Sequence, residues 1–161
     1  MPDWSAVLVS PNSDFDGAPL LRTEVRLDEG HGPAERAVLR ATAHGVFEGF
    51  LNGRRIDDTV LSPGWTSYEW RLRFVERDVT ALLAGVGPGE PVVLGFALGN
   101  GWWRGRLGWA GGRAYYGDEL GLLAQLDVTF ADGHVQTVGT DEGWTAGPSA
   151  RCRASAFAWS S

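Results

Sequence analysis

Glycine and proline interrupt this chain so often that no segment between them keeps the apolar period of a long helix. The 161 residues include 23 Gly and 8 Pro. Between the breaks, apolar and polar residues alternate, which is typical of a strand with one buried face. The alternation is most regular over residues 120–130, where one face would consist of Leu122, Ala124, Leu126, Val128 and Phe130. The pattern predicts an all-β chain with at most one or two short helical turns.

Further strands are predicted from the same patterns at 20–27, at 37–51 with a kink at Gly45, at 68–75 and at 91–98. Two dipeptides, Asn52-Gly53 and Asp132-Gly133, are typical hairpin turns, because Asn, Asp and Gly tolerate positive φ. Many short strands with turn signals between them indicate a mostly antiparallel β-sandwich or barrel.

Two smaller features complete the local predictions. Asp78 is placed to cap a single helical turn that ends near Gly85, because a short carboxylate can accept the first free backbone N–H groups. The Pro63-Gly64 dipeptide predicts a bend that buries Trp65.

The length fits a single domain, 1–161, that can bury an ordinary core. Its formal charge of −6 argues against nucleic acid, which requires a basic face. Cys152 is the single cysteine, so an internal disulfide and a cysteine zinc site are excluded. The sequence has no signal-peptide pattern at its start and no apolar run of about 20 residues. We therefore expect a cytoplasmic protein that does not bind a membrane.

The candidate binding site is the loop 99–118, which holds three Trp and two Tyr among seven Gly. Flat aromatic faces next to amide and charged groups suit a sugar ring, which offers apolar C–H faces and a rim of hydroxyls. This prediction assigns no catalytic residue. The expected carbohydrate-binding residues are Asn100, Trp102, Trp103, Arg104, Trp109, Tyr116 and Asp118.

Several motifs, in order along the chain, resemble the N-terminal domain of bacterial α-L-rhamnosidases. They span about residues 18–146 and form a specific ordered set, although each is short. The main ones are Ala18-Pro19-Leu20-Leu21-Arg22, Phe50-Leu51-Asn52-Gly53, Pro63-Gly64-Trp65, Gly99-Asn100-Gly101-Trp102-Trp103-Arg104-Gly105, Tyr116-Gly117-Asp118 and Thr140-Asp141-Glu142-Gly143-Trp144.

The resemblance implies a galactose-binding-like, jelly-roll sandwich at the front of a multidomain glycoside hydrolase whose catalytic helical barrel is a separate domain. It also implies L-rhamnose or rhamnose-containing glycans as ligands and the catalytic domain as a partner. The sandwich core would be 18–146, with a lead-in at 1–17. The segment 147–161 departs from the family pattern, which leaves a truncated gene product and a stand-alone domain as two alternatives.

Calcium remains open as a cofactor, with oxygen ligands from Asp14 and Asp16 or from the loop around Asp118. Two other functions also stay open. One is a purely structural module that packs on the catalytic domain and has no ligand. The other is a small autonomous glycosidase, which would need two carboxylates from different loops because adjacent pairs such as Asp57-Asp58 point apart in a strand.

Overall fold

The computed structural model describes residues 3–11, 17–109 and 111–148. Its strands, in chain order, are β1 (Pro19–Arg26), β2 (Ala34–His44), β3 (Val46–Leu51), β4 (Arg54–Arg55), β5 (Val75–Asp78), β6 (Pro91–Gly99), β7 (Arg106–Leu107), β8 (Gly112–Arg113), β9 (Gly121–Phe130), β10 (Val135–Gly139) and β11 (Thr145–Pro148). The helical elements in these ranges are a 3₁₀ turn at Thr80–Leu82 and a four-residue helix, α1 (Gly101–Arg104). Both are single turns, as the sequence predicts.

The long strands form two antiparallel sheets that face each other. A five-stranded sheet has the order β11-β1-β6-β3-β4, and a four-stranded sheet has the order β10-β9-β2-β5. The short strands β7 and β8 pair with each other within the aromatic loop. The predicted all-β, antiparallel sandwich is confirmed.

One hydrophobic core fills the space between the sheets. The predicted inner face of β9 is confirmed, since Leu122, Leu126 and Phe130 are almost completely buried, as are the two residues between them on that face. Phe96 and Leu94 of β6 face them from the other sheet. Each large side chain buried in this way contributes roughly 1.5–3 kcal/mol relative to an exposed one.

Gly45 is the point at which the chain leaves one sheet and enters the other, because β2 and β3 belong to different sheets. Its φ is +120°, and a Cβ at this position would lie 2.4 Å from the carbonyl oxygen of Gly99. Only glycine combines that backbone angle with such a close approach. The predicted kink in 37–51 is therefore a passage between sheets.

The hairpin predictions are also confirmed. Asn52 and Gly53 both have positive φ, 49° and 76°, as a type I′ turn requires. The side-chain oxygen of Asn52 accepts a hydrogen bond from the backbone N–H of Val93, which ties this turn to β6. Residues 131–134 connect β9 to β10, with a positive φ at Gly133.

The strand predicted at 68–75 is wrong over most of its length. Trp70 and Arg71 donate backbone hydrogen bonds to the carbonyl of Ser67, which makes a turn, and the strand begins only at Val75. Trp70 is 88% exposed, so its alternation with charged neighbours does not mark a buried face. A backbone turn at Ser67 takes the place of strand pairing here.

The predicted burial of Trp65 and the predicted cap are corrected too. After Gly64, whose φ is +93°, the chain turns along the end of the sandwich and Trp65 is 54% exposed. The 3₁₀ turn is preceded by Val79 rather than Asp78. Asp78 still accepts a hydrogen bond from the backbone N–H of Thr80.

The segment before β1 packs along β9. Val9 pairs with Leu122, and the backbone N–H of Ser5 donates to the side-chain oxygen of Gln125 at 2.9 Å. Trp4 meets Phe74 edge to face, with ring centroids 6.0 Å apart. These contacts attach residues 3–11 to β9 and to Phe74, which precedes β5.

The substitution Gly45→Ala is expected to destabilise the domain by about 2–4 kcal/mol, because it adds left-handed backbone strain to a clash with the Gly99 carbonyl. Gly85→Ala is the matched control, since Gly85 has φ +87° but open space around it. It should cost about 1 kcal/mol. Urea unfolding of both variants measures the difference, and equal losses would contradict the assigned role of Gly45.

Candidate functional site

Aromatic side chains gather at one end of the sandwich, which we call the aromatic end. It is formed by the loop 99–119, the segment 62–74 and the joint between β2 and β3. Six rings define it: His44, Trp65, Tyr68, Trp102, Trp103 and Tyr116. The sequence predicts three of these rings as site residues, and the structure brings them together with the other three.

Trp103 is the central ring of the aromatic end. It stacks on His44 with ring centroids 4.0 Å apart and planes at 14°, and it meets Tyr68 edge to face at 5.2 Å. Its indole N–H donates to the carbonyl of Glu119 at 2.8 Å. A Cβ at Gly117 would lie 2.3 Å from the indole, so this glycine leaves space for the ring. These contacts hold Trp103 in place on the sandwich.

Three of the predicted polar residues bind one another within the loop. The Nε of Arg104 donates to the side-chain oxygen of Asn100 at 2.8 Å, and its Nη1 donates to the carbonyl of Asp118 at 3.2 Å. This network joins α1 to the far side of the loop. The guanidinium of Arg104 thus stabilises the loop, whereas the sequence analysis predicted that it binds the hydroxyls of a sugar.

Trp65 and Trp102 form a parallel pair on the outside of the aromatic end. Their ring centroids are 6.3 Å apart and their planes are inclined by only 7°. Tyr116 lies beside them and contacts Tyr68 at 4.9 Å. The pair positions the half-exposed indole of Trp65, which leaves part of an aromatic surface open to solvent.

A cleft of about 650 Å³ opens next to this pair. Its walls carry aromatic, hydroxyl and charged side chains from two segments of the chain. The lining residues are Trp65, Thr66, Ser67, Glu69, Arg71, Arg73 and Tyr116.

Of the predicted site residues, only Tyr116 lines this cleft. The sequence analysis missed the residues from 65–73 because it predicted a strand at 68–75 and the burial of Trp65. The available signal was the Pro63-Gly64 bend followed by an aromatic and two hydroxyl residues. Such a sequence is more typical of an exposed loop than of a strand.

Trp109 does not join the cleft. It is fully exposed at the tip of the loop, and Tyr115 is 62% exposed. Rings as large as these, open to water, are unusual on the surface of an isolated domain and more common at interfaces.

The titratable groups of the aromatic end respond to burial. Burial lowers the pKa of His44 below its usual value. Burial and the neighbouring Tyr116 raise the pKa of the Tyr68 phenol. The phenol oxygen of Tyr68 is buried and has no hydrogen-bond partner within the described ranges. The folded state thus favours the neutral imidazole of His44 and the neutral phenol of Tyr68.

Asp57, a member of one adjacent carboxylate pair, is bound by its neighbours. Burial tends to raise its pKa, but hydrogen bonds from Thr59 and Arg77 outweigh burial and lower the pKa below its usual range. A general acid of a glycosidase requires a raised pKa. Asp57 therefore has the properties of a structural ion-pair partner.

In residues 3–11, 17–109 and 111–148, no three His, Cys, Asp or Glu side chains lie close enough to hold a metal ion. Asp14 and Asp16, which the sequence analysis offered as calcium ligands, lie outside the described residues. The described part of the chain also contains no helix with the length and hydropathy needed to cross a bilayer.

The sequence family follows from a comparison with known proteins. A sequence model described as "Alpha-L-rhamnosidase N-terminal domain" matches residues 32–158. The chain belongs to this family. The expectation drawn from the ordered motifs is confirmed.

Comparison with individual proteins gives the same family for this rhamnosidase N-terminal domain. An α-L-rhamnosidase of Streptomyces avermitilis is 40% identical over 126 residues, covering 78% of this chain. A crystal structure of native α-L-rhamnosidase from Aspergillus terreus is similar with a TM-score of 0.79, at 36% identity over 89% of the chain. The structure of the Streptomyces avermitilis enzyme complexed with L-rhamnose gives a TM-score of 0.73 and covers 81% of this chain.

The chain is much shorter than these relatives. It spans 12% of the length of the Streptomyces avermitilis protein and 16% of the Aspergillus terreus chain. The similarity thus concerns one domain of large glycoside hydrolases.

The lowered pKa of His44 predicts an acid-sensitive domain. Because the folded state disfavours the charged imidazole, the unfolded state binds the proton more readily as the pH falls below about 6.5. Stability contributed by neutral His44 is therefore present above that pH and is lost towards lower pH. Thermal unfolding between pH 8 and pH 5 tests this. In His44→Phe, which keeps a ring against Trp103, the drop should be smaller; an unchanged pH profile would contradict the assignment.

The substitution Tyr68→Phe removes a buried hydroxyl that has no partner in the described ranges. We expect the free energy of unfolding to stay the same or to rise by up to about 1 kcal/mol, because no hydrogen bond is lost and a desolvated polar group disappears. Chemical denaturation provides the measurement. A loss of stability would mean that the hydroxyl is hydrogen-bonded in solution.

Proposed function

We propose that this chain is a non-catalytic accessory domain of an α-L-rhamnosidase-type glycoside hydrolase, and that its aromatic end binds L-rhamnose or rhamnose-containing glycans. The whole chain, 1–161, would act as one domain beside a separate catalytic domain. The observation that carries the carbohydrate part is the cleft beside the Trp65–Trp102 pair.

The apolar requirement of a sugar is met by Trp65. A pyranose ring exposes C–H groups on its faces, and an indole held in a fixed orientation supplies a flat surface for them. Trp65 is half-exposed and lies parallel to Trp102. Because the ring is already positioned, binding would cost little side-chain entropy.

The polar requirement is met by the rest of the cleft wall. Ser67 and Tyr116 carry hydroxyls, Arg71 and Arg73 carry donors, and Glu69 carries an acceptor. Sugar hydroxyls both donate and accept, so a mixed set of this kind suits them. Each such bond replaces one with water, so the affinity for a single monosaccharide would be weak.

The relatives add support of a different kind. The Streptomyces avermitilis enzyme, 40% identical in this region, has been crystallised with L-rhamnose. That ligand belongs to that protein, and its transfer to this cleft is part of the proposal. The predicted loop residues Asn100, Trp103 and Arg104 would then support the site, since they stabilise the loop that holds Trp102 and Tyr116.

A structural module that packs on the catalytic domain is the second candidate. It is favoured by the exposure of Trp109 and of Trp70, which lie outside the cleft lining. Exposed aromatic rings are the residue type that most often anchors protein interfaces. The two functions use different rings, so they can be separated by substitution.

Titration with L-rhamnose, followed by tryptophan fluorescence, tests the proposal. We expect a saturable change that Trp65→Ala abolishes, because the stacking surface is lost. Trp109→Ala is the matched control, since it removes an equally large exposed ring away from the cleft, and it should bind as the parent chain does. Both titrations are run with and without added Ca²⁺, which also tests the calcium expectation.

The absence of any change up to high millimolar L-rhamnose, in both conditions, would contradict the binding function and favour the structural module. A change that Trp109→Ala abolishes and Trp65→Ala leaves intact would place the site on the loop tip instead.

A further inference from the structure

The cleft wall carries two arginines whose guanidinium groups have no salt-bridge or hydrogen-bond partner among the described residues. Among the described residues, the arginines that form salt bridges are Arg22, Arg40, Arg55 and Arg77, and Arg104 is bound within its own loop. Arg71 and Arg73 form neither a salt bridge nor a side-chain hydrogen bond with any described residue. Both side chains are exposed at the cleft and are available to a ligand.

Arg73 lies at a defined position in the cleft. A Cβ at Gly64 would be 3.3 Å from its Nη1, so the guanidinium packs over the backbone of that glycine. The carbonyl of Arg73 accepts a hydrogen bond from the hydroxyl of Thr42 at 2.6 Å, which fixes its backbone to β2. Arg71 is fixed at its backbone by the turn at Ser67. The backbone of each arginine is therefore held by hydrogen bonds, although its side chain is exposed.

The charge of the cleft differs in sign from that of the chain. Two arginines and one glutamate give the lining a formal charge of +1, whereas the whole chain carries −6. A neutral sugar gains hydrogen bonds from such a wall but does not require a net positive charge. An anionic ligand gains charge-assisted hydrogen bonds, which are roughly twice as strong as neutral ones, and guanidinium is the side-chain group that binds carboxylates in a bidentate manner.

The size of the cleft also exceeds the needs of one sugar ring. The cleft has a volume of about 650 Å³ and is open to solvent, so a longer chain can extend beyond the ring that it holds. A saccharide of two or more rings would therefore be able to place one ring on Trp65 and a second group near the arginines.

We propose that the cleft binds an acidic saccharide, one that contains a uronate residue. Arg71 and Arg73 pair with the carboxylate, and Trp65 stacks on a sugar ring. This inference rests on the proposed carbohydrate-binding function and adds the charge class of the ligand.

The experiment compares ligands that differ only at C6: D-galacturonate against D-galactose and D-glucuronate against D-glucose, with L-rhamnose as a neutral reference. The probe is calorimetric or fluorescence titration of the full chain at low ionic strength. We expect each uronate to bind about tenfold more tightly than its neutral partner. Raising the salt concentration from about 0.05 to about 0.5 M should weaken only the uronates, because exposed charges are screened.

The variants Arg71→Gln and Arg73→Gln should each remove most of this preference, because a neutral amide cannot form an ion pair with the carboxylate. Binding of the uronates should therefore weaken more than binding of the neutral sugars. Arg54→Gln is the matched control, because Arg54 is an exposed arginine in β4, outside the cleft. Arg54→Gln should change neither the affinity for uronates nor the affinity for neutral sugars. Circular dichroism and thermal unfolding of each variant verify that the fold is retained.

The outcomes separate this inference from the proposed function. If uronates and neutral sugars bind equally, or if the preference survives both arginine substitutions, the acidic-ligand inference is overturned and carbohydrate binding stands. If neither class binds, both proposals fail.

Discussion

The close approach of Gly45 to the carbonyl of Gly99 connects the two sheets at the aromatic end. A side chain at Gly45 would meet that oxygen at 2.4 Å, so the passage from β2 to β3 depends on a residue without Cβ. Because Gly99 is the last residue of β6, the same contact fixes where the aromatic loop leaves the sandwich. The position of the loop relative to His44, the residue before Gly45, follows from this packing.

Trp103 continues that connection into the loop. Its ring lies on His44 from β2, contacts Tyr68 from the segment 62–74 and donates a hydrogen bond to Glu119 ahead of β9. One side chain thus joins three separate parts of the chain. An indole suits this role, because it combines a large apolar surface with a single donor at its edge. The loops of the aromatic end are held by side-chain packing although they contain little regular secondary structure.

Much of the fold could be predicted from the sequence, because strands and tight turns are determined largely by residues that are neighbours in the chain. The alternation in β9, the kink at Gly45 and the Asn52-Gly53 turn each depend on neighbouring residues and were confirmed. The segment 68–75 shows the limit of this approach. Its alternation resembles a strand, but the chain turns at Ser67, and the exposure of Trp70 depends on what the rest of the fold leaves uncovered. The cleft was missed for the same reason, since it combines that segment with Tyr116 from a distant loop.

The two segments at the aromatic end differ in which of their groups make the anchoring contacts. In the loop 99–119 the polar groups of Asn100 and Arg104 satisfy each other, and the indole N–H of Trp103 satisfies a backbone carbonyl. In the segment 65–73 the backbone makes the anchoring contacts, through Ser67 and through the carbonyl of Arg73. Among the described residues, the guanidinium groups of Arg71 and Arg73 form no salt bridge and no side-chain hydrogen bond, and Trp65 is half-exposed although it stacks on Trp102. The aromatic-rich loop thus uses its polar side chains for its own contacts, whereas the side chains that line the proposed binding cleft come mostly from residues 65–73.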